Sequence, residues 1–221
     1  MNSRCTPAEA LGDARVAHLW RVRTVLALLR AALGPHADMA DWLARHPVLQ
    51  DTLNDAADVG LADLTLDEGI ARLDALLHTQ SHSALARLQQ ALDLDANGLS
   101  AWVACTLSED DPRFASFIDA CHGQGGRITR ATLVRLCGPE SAAQALQTLR
   151  HSQAVSEDQR TWVAHPALWA VACGLPPPPG TWQHLPHACL PVGVSFRLSQ
   201  ALVVAPSGVV FQATAECSDA P

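Results

Sequence analysis

The stretch Ile128–Ala164, ITRATLVRLCGPESAAQALQTLRHSQAVSEDQRTWVA, contains the features that decide the fold. Thr129 is a typical helix N-cap, Gly138-Pro139 ends the helix that it starts, and the alanine-rich residues that follow predict a second helix. Two short apolar runs, 154–156 and 161–164, then flank four polar residues and predict a β-hairpin. A further helix before this stretch gives three helices followed by a hairpin, the order of elements in a winged helix.

The residues before this stretch predict a helical bundle. Thr6-Pro7-Ala8-Glu9 and Thr65-Leu66-Asp67-Glu68 are capping boxes, each at the start of a helix. Apolar residues recur every three or four positions from Leu19 to Leu33, so a long first helix is expected to run from the first box through this segment. Two further helices are predicted near 82–92 and 98–108.

These patterns divide the chain into four predicted regions. Residues 1–109 form a helical bundle, 110–174 a winged-helix-like domain, 175–191 a proline-rich linker, and 192–221 a short β tail or the truncated start of a further domain. Four consecutive prolines mark the linker, and valine-rich runs on both sides of Pro206-Ser207-Gly208 predict a β-hairpin in the tail. The expected fold class is mainly α, with a helical bundle, a winged-helix-like unit and a short C-terminal β-hairpin.

The composition of the chain is that of a packed globular protein. Hydrophobic residues make up 48% of its 221 residues and charged residues 17%, below the share of about 25% that is usual in soluble domains, so disorder is disfavoured. The seven cysteines contain no C-x-x-C pair and show no disulfide framework, which suits a reducing compartment. No signal sequence and no apolar run of membrane-spanning length is recognisable, and a cytoplasmic location is expected.

The absence of one residue type limits the chemistry of the chain. It has fifteen arginines and no lysine. A phosphate-binding loop needs a lysine to reach the terminal phosphates, and Schiff-base chemistry needs an amine. We therefore expect no nucleotide hydrolysis by this chain alone, no cofactor and no enzymatic activity. The formal charge of −7 disfavours affinity for nucleic acid or for an anionic membrane surface.

The winged-helix-like region raises the question of DNA binding. Residues 110–174 contain six arginines and six acidic residues, so the region is formally neutral, whereas a module that follows a phosphate backbone is usually basic. The segment Glu140–Arg150, in the position of a recognition helix, offers one arginine, two glutamines and several alanines. Contact with protein partners is therefore favoured over DNA binding. The candidate interaction residues are Arg127, Arg130, Arg135, Arg150 and Arg160.

One cluster in the proline-rich segment has residue types that bind zinc. His184, His187 and Cys189 form an H-x₂-H-x-C pattern. Histidines beside prolines in a loop are more often only solvated, and a structural zinc site is typically built from ligands in closely spaced pairs. We keep these three residues as weak candidates and predict no metal site.

Basic, aromatic and cysteine residues elsewhere have simpler interpretations. Arg21, Arg23 and Arg30 on the first helix are interpreted as its solvated face, with contact to an acidic neighbour as the alternative. The tryptophans are interpreted as core packing before ligand stacking. Cys121 is interpreted as a core residue and not as part of a nucleophile pair with His122, because neighbouring side chains on a helix do not converge.

Several segments taken together resemble a known family. They are Leu99–Leu107 (LSAWVACTL), Asp111–Phe114 (DPRF), Ile128–Leu133 (ITRATL) continuing to Leu136-Cys137-Gly138, and His165–Leu168 (HPAL). Their order over about residues 65–180 resembles the N-terminal region of the AAA+ ATPases encoded with bacterial contractile injection systems. In that family, this region precedes the ATPase core and combines a helical bundle with a variant winged helix. The resemblance implies protein partners, such as an AAA+ ATPase core or an injection-system component.

The chain departs from that family where the ATPase core would begin. Its residues Val209–Gln212 supply neither a lysine nor a serine or threonine for a magnesium-bound phosphate. Three hypotheses remain: a non-catalytic protein-interaction and assembly module, which we prefer; a winged-helix DNA-binding regulator; and a truncated ATPase subunit that is active only with a complete relative. Salt-sensitive binding to nucleic acid favours the regulator, and ATP binding by the isolated chain contradicts the module.

Overall fold

The computed structural model of the chain describes most of its first 175 residues. The described ranges are 11–33, 39–61 and 64–175, with the backbone of four short strand segments at 188–189, 195–196, 202–205 and 208–211.

Ten α-helices make up most of the described residues. They are α1 Asp13–Leu33, α2 Met39–Arg45, α3 Pro47–Asn54, α4 Leu66–His78, α5 Ala84–Ala91, α6 Ala96–Asp110, α7 Ala115–Ala120, α8 Arg130–Cys137, α9 Pro139–His151 and α10 Pro166–Ala172. Two 3₁₀ turns, Ala57–Val59 and Pro112–Phe114, lie between them. The chain is therefore mainly α, as predicted. Among the described residues, no helix is both long and apolar enough to cross a membrane.

A small antiparallel sheet lies beside the last helices. Its three strands are β1 Ile128–Thr129, β2 Val155–Asp158 and β3 Thr161–Ala164, in the spatial order β1-β3-β2. The hairpin of β2 and β3 confirms the sequence prediction. The sequence does not predict β1, because two residues are too few to show the alternation that marks a strand. Strand β1 is instead defined by its pairing with Thr161 and Trp162 of β3.

The chain beyond residue 175 is described only as paired strand segments. Strand β4 (Ala188–Cys189) pairs with β5 (Ser195–Phe196), and β6 (Leu202–Ala205) pairs with β7 (Gly208–Phe211). The second pair confirms the hairpin predicted around Pro206-Ser207-Gly208. Most of the proline-rich linker, 175–191, lies outside the described residues.

Helix α1 begins at Asp13, later than the sequence predicts. The capping box Thr6–Glu9 lies outside the described residues, but Leu11, which follows it, is not helical. The Leu11 amide donates to Oε1 of Gln80 at 3.0 Å, and Oδ1 of Asp13 accepts from the amide of Ala84 at 2.7 Å. The predicted start was wrong, since Leu11 and Asp13 bond instead to Gln80 and to Ala84, the first residue of α5.

Side-chain caps fix the start of several helices. At α4, Oγ1 of Thr65 accepts from the amide of Glu68, and the Glu68 carboxylate accepts from the amide of Thr65. These bonds hold the pKa of the Glu68 carboxyl below its usual value. The predicted capping box is confirmed. Thr129 caps α8 as predicted, and Asp95 caps α6.

Helix α6 lies at the centre of one continuous hydrophobic core. It packs against α1, α9 and β3, and Trp102 at its middle is fully buried. The Nε1 of Trp102 donates to the carbonyl oxygen of Ala154 at 3.3 Å, and its ring meets the edge of Trp169 at 5.8 Å between centroids. Because the buried cluster extends from α1 to α10, the predicted bundle and the winged-helix-like region pack on each other. The boundary between them at residues 109 and 110 stays a prediction.

The arginines of α1 are paired with acidic residues of the same chain. The side chain of Arg23 is only 12% exposed; it donates to both carboxylate oxygens of Asp74 on α4, at 2.9 and 3.3 Å, and to Oγ of Ser100 on α6 at 2.7 Å. The interpretation as a solvated face was wrong for Arg21 and Arg23, because α4, α6 and α10 cover this side of α1. The ion pairs of these arginines are Arg21–Asp110, Arg23–Asp74 and Arg30–Asp67.

Candidate interaction groove

A groove of about 680 Å³ lies between α9 and the β2–β3 hairpin. Its volume falls in the range of about 300–1,000 Å³ that is typical of ligand sites. We call it the arginine groove. Its lining residues are Arg130 on α8; Ala143, Leu146, Gln147, Arg150 and His151 on α9; and Glu157, Arg160 and Trp162 on the hairpin.

The amphipathic pattern of α9 builds one wall of the arginine groove. The core side of the helix carries Ala142, Ala145, Leu146 and Leu149. Ala143, Gln147 and Arg150 follow one another at spacings of four and three, so they share another face of the helix and line the groove. Gly138, with φ 84°, allows the sharp reversal from α8, and Pro139 occupies the first helical position.

The hairpin turn that forms the other wall has an unusual backbone. Gln159 and Arg160 link β2 to β3 with φ angles of 49° and 70°. Two-residue hairpin turns favour Asn-Gly at such positions, because a larger side chain in the left-handed region costs roughly 1 kcal/mol. The turn therefore holds Arg160 at the hairpin tip at some cost in stability. Disfavoured backbone of this kind is more frequent at functional sites than elsewhere.

The arginine groove is positively charged although the whole chain is acidic. Cζ of Arg150 lies 5.6 Å from the centroid of the Trp162 ring, and its Nη2 lies 3.8 Å from Oε2 of Glu157. The exposed side chains of Arg130 and Arg160 form no hydrogen bond or ion pair with any residue in the described part of the chain. Three arginines and one glutamate give the lining a formal charge of +2, in a chain with a net charge of −7.

Three of the five arginines predicted to contact a partner converge on this groove: Arg130, Arg150 and Arg160. The other two lie elsewhere. Arg127 donates from Nη1 to Oδ2 of Asp158 at 2.6 Å, and its Nε lies 3.6 Å from Oε1 of Glu109. Arg135 is exposed in the last turn of α8 and does not line the groove. Contact of these arginines with a partner stays a prediction.

Sequence reasoning missed the neutral and acidic lining of the groove. The sequence shows that Gln147 and Arg150 are three residues apart and share a face of α9. Which face of α9 lines the groove depends on the position of the hairpin. Trp162 was assigned to the core, and its 6% exposure confirms this. Its second role, as a platform beneath Arg150, needs the tertiary structure.

The weak zinc candidates are not tested by the described residues. His184 and His187 lie outside them, and Cys189 lies in β4, whose side chains are not described. Within the ranges described above, no group of three or more histidine, cysteine, aspartate or glutamate side chains could hold a metal ion.

The cysteines of the core are poorly suited to nucleophilic chemistry. Burial raises the pKa of Cys105 and of Cys121 to about 12, and that of Cys137 to about 11. At neutral pH these thiols are protonated, and the thiolate is the reactive form. Cys121 is 3% exposed, which confirms its assignment to the core.

Comparison with known proteins does not identify the chain. A scan against models of protein families finds no match, and neither do searches of the curated proteins and of the solved structures. The resemblance to the N-terminal regions of AAA+ ATPases therefore stays a prediction.

Proposed function

We propose that this chain is a non-catalytic protein-interaction and assembly module, and that the arginine groove is the surface that contacts its partner. The main observation in support of this proposal is the exposure of Arg130 and Arg160 and their lack of ion-pair partners in the described chain. Both are exposed at one concave site and have no ion-pair partner among the described residues. Guanidinium groups bind carboxylates through paired hydrogen bonds, so unpaired arginines in a groove suit recognition of an acidic partner.

The topology of residues 115–164 supports a winged-helix-like unit. A helix is followed by β1, two helices and a hairpin, and the strand order is β1-β3-β2. Units with this order of elements serve as DNA readers and as protein-docking modules, so the fold leaves the function open. By the resemblance noted in the sequence, the proposed partner is an AAA+ ATPase core or an injection-system component, and the module would recruit partners or arrange subunits.

Two observations support a non-catalytic role. The chain has no lysine to bind a terminal phosphate. Its described cysteines with a resolved pKa shift all have that pKa raised by burial, so none of them is an activated nucleophile. An ATPase activity of the purified chain, with contaminants excluded, would overturn this part of the proposal.

Charge favours a protein over DNA as the partner. A duplex presents a long row of phosphates, which proteins contact with many cations spread along a surface. Here three arginines lie in a concave groove that also contains Glu157. The exposed side of α9 offers Glu140 and Gln144 with a single arginine, Arg150. We therefore treat binding to nucleic acid as an outcome of the test.

A photo-crosslinking experiment in the native cell tests the proposal. A benzophenone amino acid replaces Gln147 in the groove or, as a matched control, Gln144 on the same helix outside it. We expect protein adducts from position 147 and few from 144. The adducts should be lost in Arg130→Glu/Arg160→Glu and kept in Arg135→Glu, which reverses the charge of one arginine outside the groove.

Two results would overturn the protein-interaction proposal. Adducts that are sensitive to nuclease and resistant to protease would make the chain a nucleic-acid-binding regulator. Equal protein adducts from both positions, or adducts that survive the reversal of both groove arginines, would show that the groove is not the contact surface.

A further inference from the structure

We propose that the arginine groove binds an acidic peptide segment of the partner, in which carboxylate side chains stand next to an apolar residue. This inference rests on the proposed function and names the chemistry of its partner.

Arg130 and Arg160 supply two adjacent guanidinium groups. Arg130 is the first residue of α8, directly after Thr129, and Arg160 precedes Thr161 at the tip of the hairpin. Because Thr129 pairs with Thr161, the two arginines lie beside each other in the lining. Each guanidinium is exposed and forms no ion pair with an acidic side chain in the described chain. A carboxylate can accept two parallel hydrogen bonds from each of them, so the pair suits a segment with two neighbouring acidic side chains.

Part of the groove lining is apolar. Leu146 and Trp162 are each 6% exposed, and Ala143 belongs to the same lining. The Arg150 guanidinium covers the Trp162 ring, so its long aliphatic stem adds to the apolar surface. An apolar side chain of the partner, next to its acidic residues, would be removed from water here.

Glu157 distinguishes a peptide from a polyanion. Its carboxylate is 3.8 Å from Nη2 of Arg150, beyond normal hydrogen-bond distance, so both groups keep hydrogen-bonding capacity. A peptide can place a backbone N–H against Glu157 and a carboxylate against Arg150. A nucleic acid strand has a phosphate at every step, and Glu157 repels it.

Selection from a random peptide library tests the inference. A displayed library of about ten-residue peptides is selected on the full chain, and a selected peptide is then labelled for anisotropy. We expect the selected sequences to be enriched in Asp and Glu next to an apolar residue. Their affinity should fall about tenfold or more in Arg130→Gln/Arg160→Gln, and change less than about twofold in Arg135→Gln.

A second variant shows whether a loss of binding comes from the lost charge or from misfolding. Arg160→Asn removes the charge but suits the left-handed turn, because Asn tolerates positive φ. It should weaken peptide binding several-fold while the protein keeps its circular dichroism spectrum. Full binding by Arg160→Asn, or selected peptides with no acidic enrichment, would overturn the inference, as would displacement of the peptide by duplex DNA at similar concentration.

The two proposals fail in different ways. If position 147 crosslinks to protein but the selected peptides are not acidic, the docking function stands and the peptide chemistry is wrong. If acidic peptides bind the groove but the adducts in the cell are nucleic acid, the proposed function falls.

Discussion

Helix α1 and the arginine groove both contain several arginines, but these differ in whether they are paired with acidic residues. On α1, Arg23 is almost covered and is bound by Asp74 and by Ser100. In the groove, Arg130 and Arg160 are exposed and have no acidic partner in the described residues. The same side chain therefore ties the bundle together in one region and remains available in the other.

The two regions show that whether a charged side chain is paired says more about its role than its presence in the sequence does. Removing an arginine that is paired and covered destabilises the fold by about 2 kcal/mol, because its partner loses a charged donor. An exposed arginine without a partner contributes little to stability, so it is available for contact with another molecule. The backbone conformation of Arg160 is also disfavoured, since a glycine would fit that turn better.

The comparison holds only if both regions fold as one unit. Trp102→Ala, which changes the core that they share, should have the largest effect. Trp102 is fully buried in α6, the helix that packs against both α1 and β3. We expect a loss of about 3–5 kcal/mol in the free energy of unfolding. Urea unfolding followed by circular dichroism and by tryptophan fluorescence should give one coincident transition in the parent chain. Two separated transitions would show that the two regions unfold independently, and the comparison between them would then not hold.

The arginines of α1 should be sensitive to truncation. Arg23→Ala should cost about 2 kcal/mol, because Asp74 and Ser100 lose a charged donor. The matched variant Arg30→Ala should cost less than about 0.5 kcal/mol, because its partner Asp67 is 77% exposed. Urea denaturation compares the two. Equal losses would contradict the claim that coverage by α4 and α6 makes the Arg23 pair structural.

Buried histidines should make the folded state sensitive to mild acid. Burial lowers the pKa of His18, His46 and His165, and Arg15 and Arg21 lower that of His18 further. The folded state therefore binds fewer protons than the unfolded chain, whose histidines have a pKa of about 6.5. Stability should be complete above that pH and fall as the pH drops below it.

The cap of α10 offers a control for this pH dependence. Nδ1 of His165 accepts a hydrogen bond from the amide of Ala167 at 3.3 Å, and protonation removes that acceptor. His165→Asn keeps a capping oxygen that does not titrate. Its unfolding free energy, measured between about pH 7.5 and pH 5.5, should change less with pH than that of the parent. An unchanged slope would exclude His165 as a source of the effect.

The hairpin turn should become more stable when its disfavoured residues are replaced. Gln159→Asn/Arg160→Gly introduces the pair that suits positive φ at both positions. We expect a gain of about 0.5–1 kcal/mol in the free energy of unfolding, together with weaker binding to the groove. Thermal unfolding measures the first effect. A loss of stability would mean that Arg160 supports the fold and is not retained for contact.

The sequence predicted local structure better than it predicted long-range contacts. Thr65 and Thr129 mark helix starts because a cap is made within four residues, and the β2–β3 hairpin follows from a short polar turn. The start of α1 and strand β1 were missed, since each depends on a partner far along the chain: Gln80 bonds to Leu11, and β3 pairs with β1.

The candidate site was partly predictable for the same reason. Arg130, Arg150 and Arg160 could be chosen from charge and from the order of elements. No local pattern separates them from Arg127, which is neutralised by Asp158 from a strand thirty-one positions along the chain.

The most direct test measures stability and binding on one variant, Arg130→Gln/Arg160→Gln. We expect an unfolding free energy within about 0.5 kcal/mol of the parent and a loss of about tenfold or more in affinity for a groove-selected acidic peptide. A variant that is destabilised by more than about 1 kcal/mol, or that binds the peptide as the parent does, would contradict the claim that these arginines are reserved for a partner.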